Sequence, residues 1–126
     1  MSDLPPEVLC GIRLQFCEEA LEGVDRWEGL VLTFEKDPSP PVISSIKSVL
    51  HNIKGSSRGV GFDRLSEIVH QLESDLIKAP IQSTLIDQML LAIDDIRVFL
   101  KQVKAAEGAV EAGDPSLDRL YRLVKG

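Results

Sequence analysis

Acid is missing from the middle of this chain. The 126 residues carry 20 Asp and Glu against 14 Lys and Arg, a net charge of −6, yet none of the acids lies between Pro38 and Phe62. Lys47, Lys54 and Arg58 all fall inside that window, which is therefore +3 and leaves −9 for the remainder. Other shortages exclude whole classes of protein. Aromatics make up only 5% of the residues, so aliphatic side chains must build the core. No apolar run approaches the roughly 18–20 residues of a membrane span. The stretch from Met1 to Glu7 is acidic and Pro-rich, without the basic-then-apolar order of a signal peptide. The overall acidity argues against a chain that coats nucleic acid or anionic membrane. Cys10 and Cys17 stand two helical turns apart, about 10 Å, too far for a disulfide within one helix. No C-x-x-C and no Cys/His cluster points to a metal site, and both thiols read as small hydrophobes in a reducing cytoplasm.

What is present is helical periodicity. A hydrophobic content of 44% over this length predicts one domain, residues 1–126, with a real core. Val8, Ile12, Phe16, Ala20, Val24, Trp27, Val31 and Phe34 recur every three or four residues, predicting a long first helix from Pro5-Pro6, capped by Ser2 or Asp3, to about Lys36. Asp37-Pro-Ser-Pro-Pro41 breaks the chain. Val42, Ile43, Ile46, Val49, Leu50 and Ile53 form the stripe of a second helix, which Gly59-Val-Gly61 closes. Asp63 is the expected cap of a third, with Leu65, Ile68, Val69, Leu72 and Leu76 inward and Ala79-Pro80 as its stop. Ser83 is the expected cap of a fourth, with Ile86, Met89, Leu90, Ile93, Ile96, Leu100 and Val103 inward. Glu107 to Gly113 is Ala- and Gly-rich and reads as loose at its end, and Asp114-Pro-Ser reads as the start of a short last helix with Leu117, Leu120, Tyr121 and Val124. No alternating β pattern occurs. The prediction is an all-α fold, an antiparallel four-helix bundle with a short additional C-terminal helix at about 114–125.

Two histidines stand out from this pattern. On a 100° wheel with Ile46 at zero, His51 lies about 140° away, Lys54 about 80°, Arg58 about 120° and Gly55 about 180°. His51 is therefore on the solvent side, with a basic residue one turn on and a glycine beside it. With Leu65 at zero on the next helix, His70 lies about 140° away and Glu73 about 80°. In an antiparallel pair the two histidines stand at nearly the same height. The two stripes then turn either toward one seam, gathering His51, Lys54, His70 and Glu73, or both away from it. The wheel does not choose.

Such a cluster has a specific use. Neutral imidazole is a nitrogen nucleophile near pH 7, and a carboxylate facing one ring nitrogen leaves the other nitrogen's lone pair outward. Glu73 is the candidate for that carboxylate. Lys54, supported by Lys47 and Arg58, can neutralise a group of roughly two negative charges, and Gly55 removes a side chain where a partner must approach. Phosphoryl acceptance on nitrogen needs these parts. The chain has no Gly-rich phosphate loop, Walker lysine or acidic metal pair, hence no visible means of taking phosphate from ATP by itself. Against this, His70 and Glu73 also read as plain solvated residues of a helix flank, Trp27 as core, and Ser56 and Ser57 as small residues that permit close packing.

The run His51-Asn-Ile-Lys54-Gly55-Ser-Ser-Arg-Gly-Val-Gly61-Phe62 resembles the H-x-x-K-G centre of histidine phosphotransfer (HPt) domains. Its continuation to Leu65, His70, Leu72 and Glu73 is most similar to the N-terminal phosphotransfer domains of CheA-type chemotaxis kinases, although Leu50 and the pair Ser56-Ser57 depart from that type. The resemblance implies that His51 is phosphorylated, that Lys54, His70 and Glu73 surround it, with Glu73 orienting the ring, and that the two stripes share a seam. Gly55 would leave room for a partner. The implied partners are a histidine kinase ATP-binding domain and a response-regulator receiver domain, with His51 passing its phosphoryl group to a receiver aspartate. No cofactor or metal of its own is implied, Mg²⁺ being expected on the partner. A cytoplasmic monomer binding neither nucleic acid nor membrane is the expected setting. The rival reading is a non-catalytic helical module that binds a receiver or kinase without phosphotransfer.

Overall fold

The computed structural model describes residues 4–78, 81, 83–109 and 117–125. They form five helices, α1 (Pro6–Lys36), α2 (Pro40–Gly59), α3 (Asp63–Ile77), α4 (Ser83–Ala105) and α5 (Asp118–Lys125), and no strand occurs among the described residues. In the bundle α1 packs on α2 and α4, α3 packs on α2 and α4, and α5 lies against α3 and α4. No described helix is long and apolar enough to cross a membrane.

The period of about 3.6 residues decides which face each helix buries. On α1 the buried stripe is Phe16, Cys17, Ala20, Gly23, Val24, Trp27, Val31 and Phe34. Trp27 is fully buried, as expected of a core residue. Val8, expected in this stripe, is exposed instead, because the core begins a turn or two later on α1. On α4 the buried set adds Leu85, Ala92 and Phe99 to the expected residues, while Ile86 and Leu90 are only half-buried. At the centre Phe62 is fully buried between Phe16 (5.8 Å) and Phe99 (5.2 Å, edge-on).

The connections explain why neighbours run antiparallel. Three residues separate α1 from α2, where Pro40 and Pro41 occupy the first helical positions, so their missing N–H groups cost no helical bond. Between α2 and α3 the Phe62 amide donates to the Ser57 carbonyl (2.9 Å) and the Gly61 amide to the Arg58 carbonyl (3.1 Å). This is the paired 6→1 and 5→2 pattern of a helix C-terminus, and Gly61 supplies the required left-handed φ of 85°. Arg13 of α1 ties down this turn, donating from Nε to the Val60 carbonyl (3.0 Å) with its guanidinium 4.7 Å from the Phe62 ring centre.

Several expected boundaries change. Asp63 is the first residue of α3, not its cap; Phe62 holds the N-cap position and no side chain caps the helix. The reversing turn leads the backbone into α3 straight from Phe62, whose ring goes to the core. Ser83 likewise is already helical. At Glu107–Ala109 the Gly108 amide donates to the Val103 carbonyl (2.9 Å), with Glu107 and Gly108 at φ 55° and 85°; the end of this segment, expected to be loose, lies outside the described residues. A Cβ at Gly108 would come within 2.5 Å of the Cys10 carbonyl oxygen, so glycine lets this end of α4 rest on α1. Ser2, Asp3, Ala79-Pro80 and the segment 110–116, including the expected helix start at Asp114, lie outside the described residues. Leu117 is buried and α5 begins at Asp118, held by Arg64–Asp118 (3.3 Å), Arg119–Asp95 (3.0 Å) and the Arg64 guanidinium 4.0 Å from the Tyr121 ring.

Candidate functional site

Helix geometry brings the predicted cluster together. Every Cα–Cβ bond on an α-helix tilts toward that helix's N-terminus. Because α2 and α3 run oppositely, side chains of His51 and Lys54 lean one way along the seam while Glu73 leans back to meet them. The stripes share one seam, the first of the two wheel arrangements, because both flanks meet at Glu73. Glu73 is the hub. Its Oε1 accepts from Lys54 Nζ at 2.5 Å, its Oε2 lies 3.5 Å from His51 Nδ1, and its Oε1 lies 4.0 Å from His70 Nδ1.

Burial orders these groups by role. The side chain of Glu73 is only 15% exposed and that of Lys54 22%, whereas His51 is 69% and His70 56% exposed. A carboxylate this withdrawn from water keeps more of its attraction for its cations than a fully solvated one. With Nδ1 of His51 toward Glu73, its Nε2 is the nitrogen left to open solvent. The arrangement can thus hold one imidazole in a chosen orientation and offer its outer nitrogen to an electrophile.

The surroundings fit an approach from outside. A Cβ at Gly55 would meet nothing within 4 Å, so nothing in this chain's own packing calls for glycine in mid-helix. Such a glycine costs about 0.5–1 kcal/mol relative to alanine. Arg58 is exposed and Lys47 half-buried on the same flank of α2, and among the described residues no ion pair joins either to Glu73. They contribute charge to the face, not contacts to the cluster.

One residue escaped the sequence reading. The Lys54 carbonyl accepts two hydroxyls besides its place in the helix, Ser57 Oγ and Ser66 Oγ, both at 3.0 Å. Both serines are fully buried, the two buried polar residues among those described. The signal available in the sequence was a serine four residues before His70, on the flank that carries His70 and Glu73.

Residues 11–112 match the family described as "Hpt domain". The chain belongs to the Hpt domain family. A chemotaxis protein CheA of Borreliella burgdorferi is 35% identical over 104 residues, which cover 78% of this chain and 12% of that protein. The chain thus spans about an eighth of the curated relative it matches. No solved structure matches this Hpt domain. The family and the relative together support histidine phosphotransfer in two-component signalling.

Proposed function

We propose that His51 of this Hpt domain is the phosphoryl carrier, accepting on Nε2 and donating to a receiver-domain aspartate. The observation that carries this reading is the Glu73 carboxylate 3.5 Å from Nδ1 of a ring that is otherwise 69% exposed. The Nε2 lone pair attacks phosphorus, forming an N–P bond as the P–O bond to the leaving group breaks. That leaving group is ADP when a histidine kinase ATP-binding domain is the donor, or an aspartyl carboxylate when a phosphorylated receiver is. The ring becomes a cation on phosphorylation, and Glu73 opposite Nδ1 stabilises it. Lys54, with the wider charge of Lys47 and Arg58, offsets the incoming dianion. His70 borders the same carboxylate and adds a second imidazole to this face. In the onward step the N–P bond breaks as the aspartate oxygen bonds phosphorus, and the Nε2 lone pair is restored. Mg²⁺ in either step belongs to the partner.

The acid-free window suits this role, since a receiver's acidic pocket must approach a site that itself carries a dianion. The CheA relative suggests that the donor is a kinase module of CheA type. The test is His51→Gln incubated with a competent kinase domain and ATP. Acid-labile phosphate should disappear from the domain while its thermal unfolding stays within a few degrees of wild type. Undiminished labelling would show that another residue carries the phosphoryl group.

A further inference from the structure

The two buried serines divide the Lys54 carbonyl between them in unequal ways. Ser57 lies three residues on in the same helix, so its hydroxyl adds a bond within α2. Ser66 lies on α3, twelve residues on in sequence, so its hydroxyl bonds across the helix pair. Apolar contacts alone specify the spacing of two helices better than their sliding, because Leu and Ile side chains repack against one another with little directional preference. A hydrogen bond is directional and short-ranged, and inside a dry contact an unmet hydroxyl or carbonyl is costly. The Ser66–Lys54 bond is therefore a pin on the register of α3 against α2.

That register is what the site depends on. Ser66, His70 and Glu73 are at i, i+4 and i+7 and so share one flank of α3. On α2 the pin is the backbone of Lys54, whose side chain meets Glu73, and His51 is one turn away in the direction in which α3 runs from Ser66 to Glu73. A slide of α3 by one residue would move Glu73 about 1.5 Å along the seam and about 100° around its axis. The 3.5 Å approach of Oε2 to His51 Nδ1 would not survive that change.

We infer that Ser66 is a positioning residue for the phosphoacceptor: through the Lys54 carbonyl it sets the height of Glu73 and, by way of Glu73, the tautomer and orientation of His51. This rests on the reading of His51 as the acceptor only for its functional consequence. The positioning itself is a property of the unphosphorylated domain and is measured there.

The experiment compares Ser66→Ala with Ser57→Ala. Each removes one hydroxyl from the same carbonyl, so a merely structural role makes the two alike. The ¹⁵N shifts of His51 are read above its titration, at a temperature where circular dichroism shows both variants folded. Wild type should hold the proton on Nδ1, leaving Nε2 free. In Ser66→Ala the ratio of the two tautomers should move by about fivefold toward that of free histidine, the scale of one ordinary hydrogen bond. In Ser57→Ala it should stay within twofold of wild type. In a Glu73→Gln background Ser66→Ala should have no further effect, because its lever is gone. The inference is overturned if the His51 tautomer ratio in Ser66→Ala equals wild type, or if Ser57→Ala shifts it as far. Phosphate uptake is scored separately: wild-type domain that fails to label sinks the function, not the positioning.

Discussion

Two sides of this bundle carry the same charge plan with the signs exchanged. At α2–α3 one withdrawn acid, Glu73, gathers Lys54, His51 and His70. At α1–α4 one withdrawn base, Arg97, gathers Asp25 (2.8 Å), Glu28 (3.3 Å) and Asp94 (4.0 Å). Each side also holds a nucleophile. His51 stands in the open, whereas Cys17 is fully buried. Burial pushes the Cys17 thiol up to about 11 from its usual 9.0, with Lys104 opposing. The Asp25 hydrogen bond foremost, helped by Glu28 and opposed by partial burial, pushes the Arg97 guanidinium further above its already high value. Arg97 is thus charged at every working pH and can only clamp. What separates the sides is therefore not the number of ion pairs but which member faces water. On one side the outermost groups are the His51 and His70 imidazoles, 69% and 56% exposed. On the other they are the carboxylates of Asp25 and Asp94, 71% and 73% exposed.

The sharpest way to break this contrast is to probe the two nucleophiles directly. At pH 8 a thiol reagent should label Cys10, which is half-buried, in the native domain. Cys17 should react only through unfolding, slower by about 10³-fold or more; comparable rates would mean that the α1–α4 side opens. The same burial gives a pH signature. Above pH 9 the unfolded chain has released the Cys17 proton while the folded chain holds it up to about 11. The unfolded state then binds fewer protons, so stability is full below pH 9 and falls as pH rises toward 11. Comparing the melting temperature of wild type and Cys17→Ala across that window isolates the effect, which should be absent from the variant.

Next in size is the hub on the reactive side. Glu73→Gln keeps an acceptor of the same shape but loses the charge opposite His51, and should slow labelling by an intact kinase about tenfold. Stability should move by about 1 kcal/mol or less in denaturant titrations, since its partners remain partly solvated. The smallest effect belongs to the opposite hub. Arg97→Met should cost about 1 kcal/mol of stability and leave labelling at the wild-type rate. A fall in labelling as deep as that of Glu73→Gln would mean that the two sides are coupled and that the comparison fails.

Legibility in the sequence followed the range of the interactions involved. All five helices lay in local periodicity, and so did the outward stance of His51, because a wheel needs only one helix's own residues. Helix starts were less legible: Asp63 and Ser83 look like caps in isolation, yet the reversing turn at Gly61 and the core position of Phe62 start α3 without one. The contact of Gly108 with Cys10 was not legible either, because the two lie 98 residues apart in sequence and are adjacent only in space.

The sequence by itself determined an all-α chain with a basic, acid-free window centred on an exposed histidine and its lysine and glycine. Those are statements about one helix at a time, and a period of 3.6 residues is enough to make them. Only the tertiary structure decided that α3 turns its His70–Glu73 flank toward α2, that Glu73 meets Lys54 and both imidazoles at once, and that Ser66 holds the Lys54 carbonyl across the seam. A wheel reports direction about a helix's own axis. The rotation and sliding of one helix against its neighbour come from side-chain packing and buried hydrogen bonds, and there the site is made.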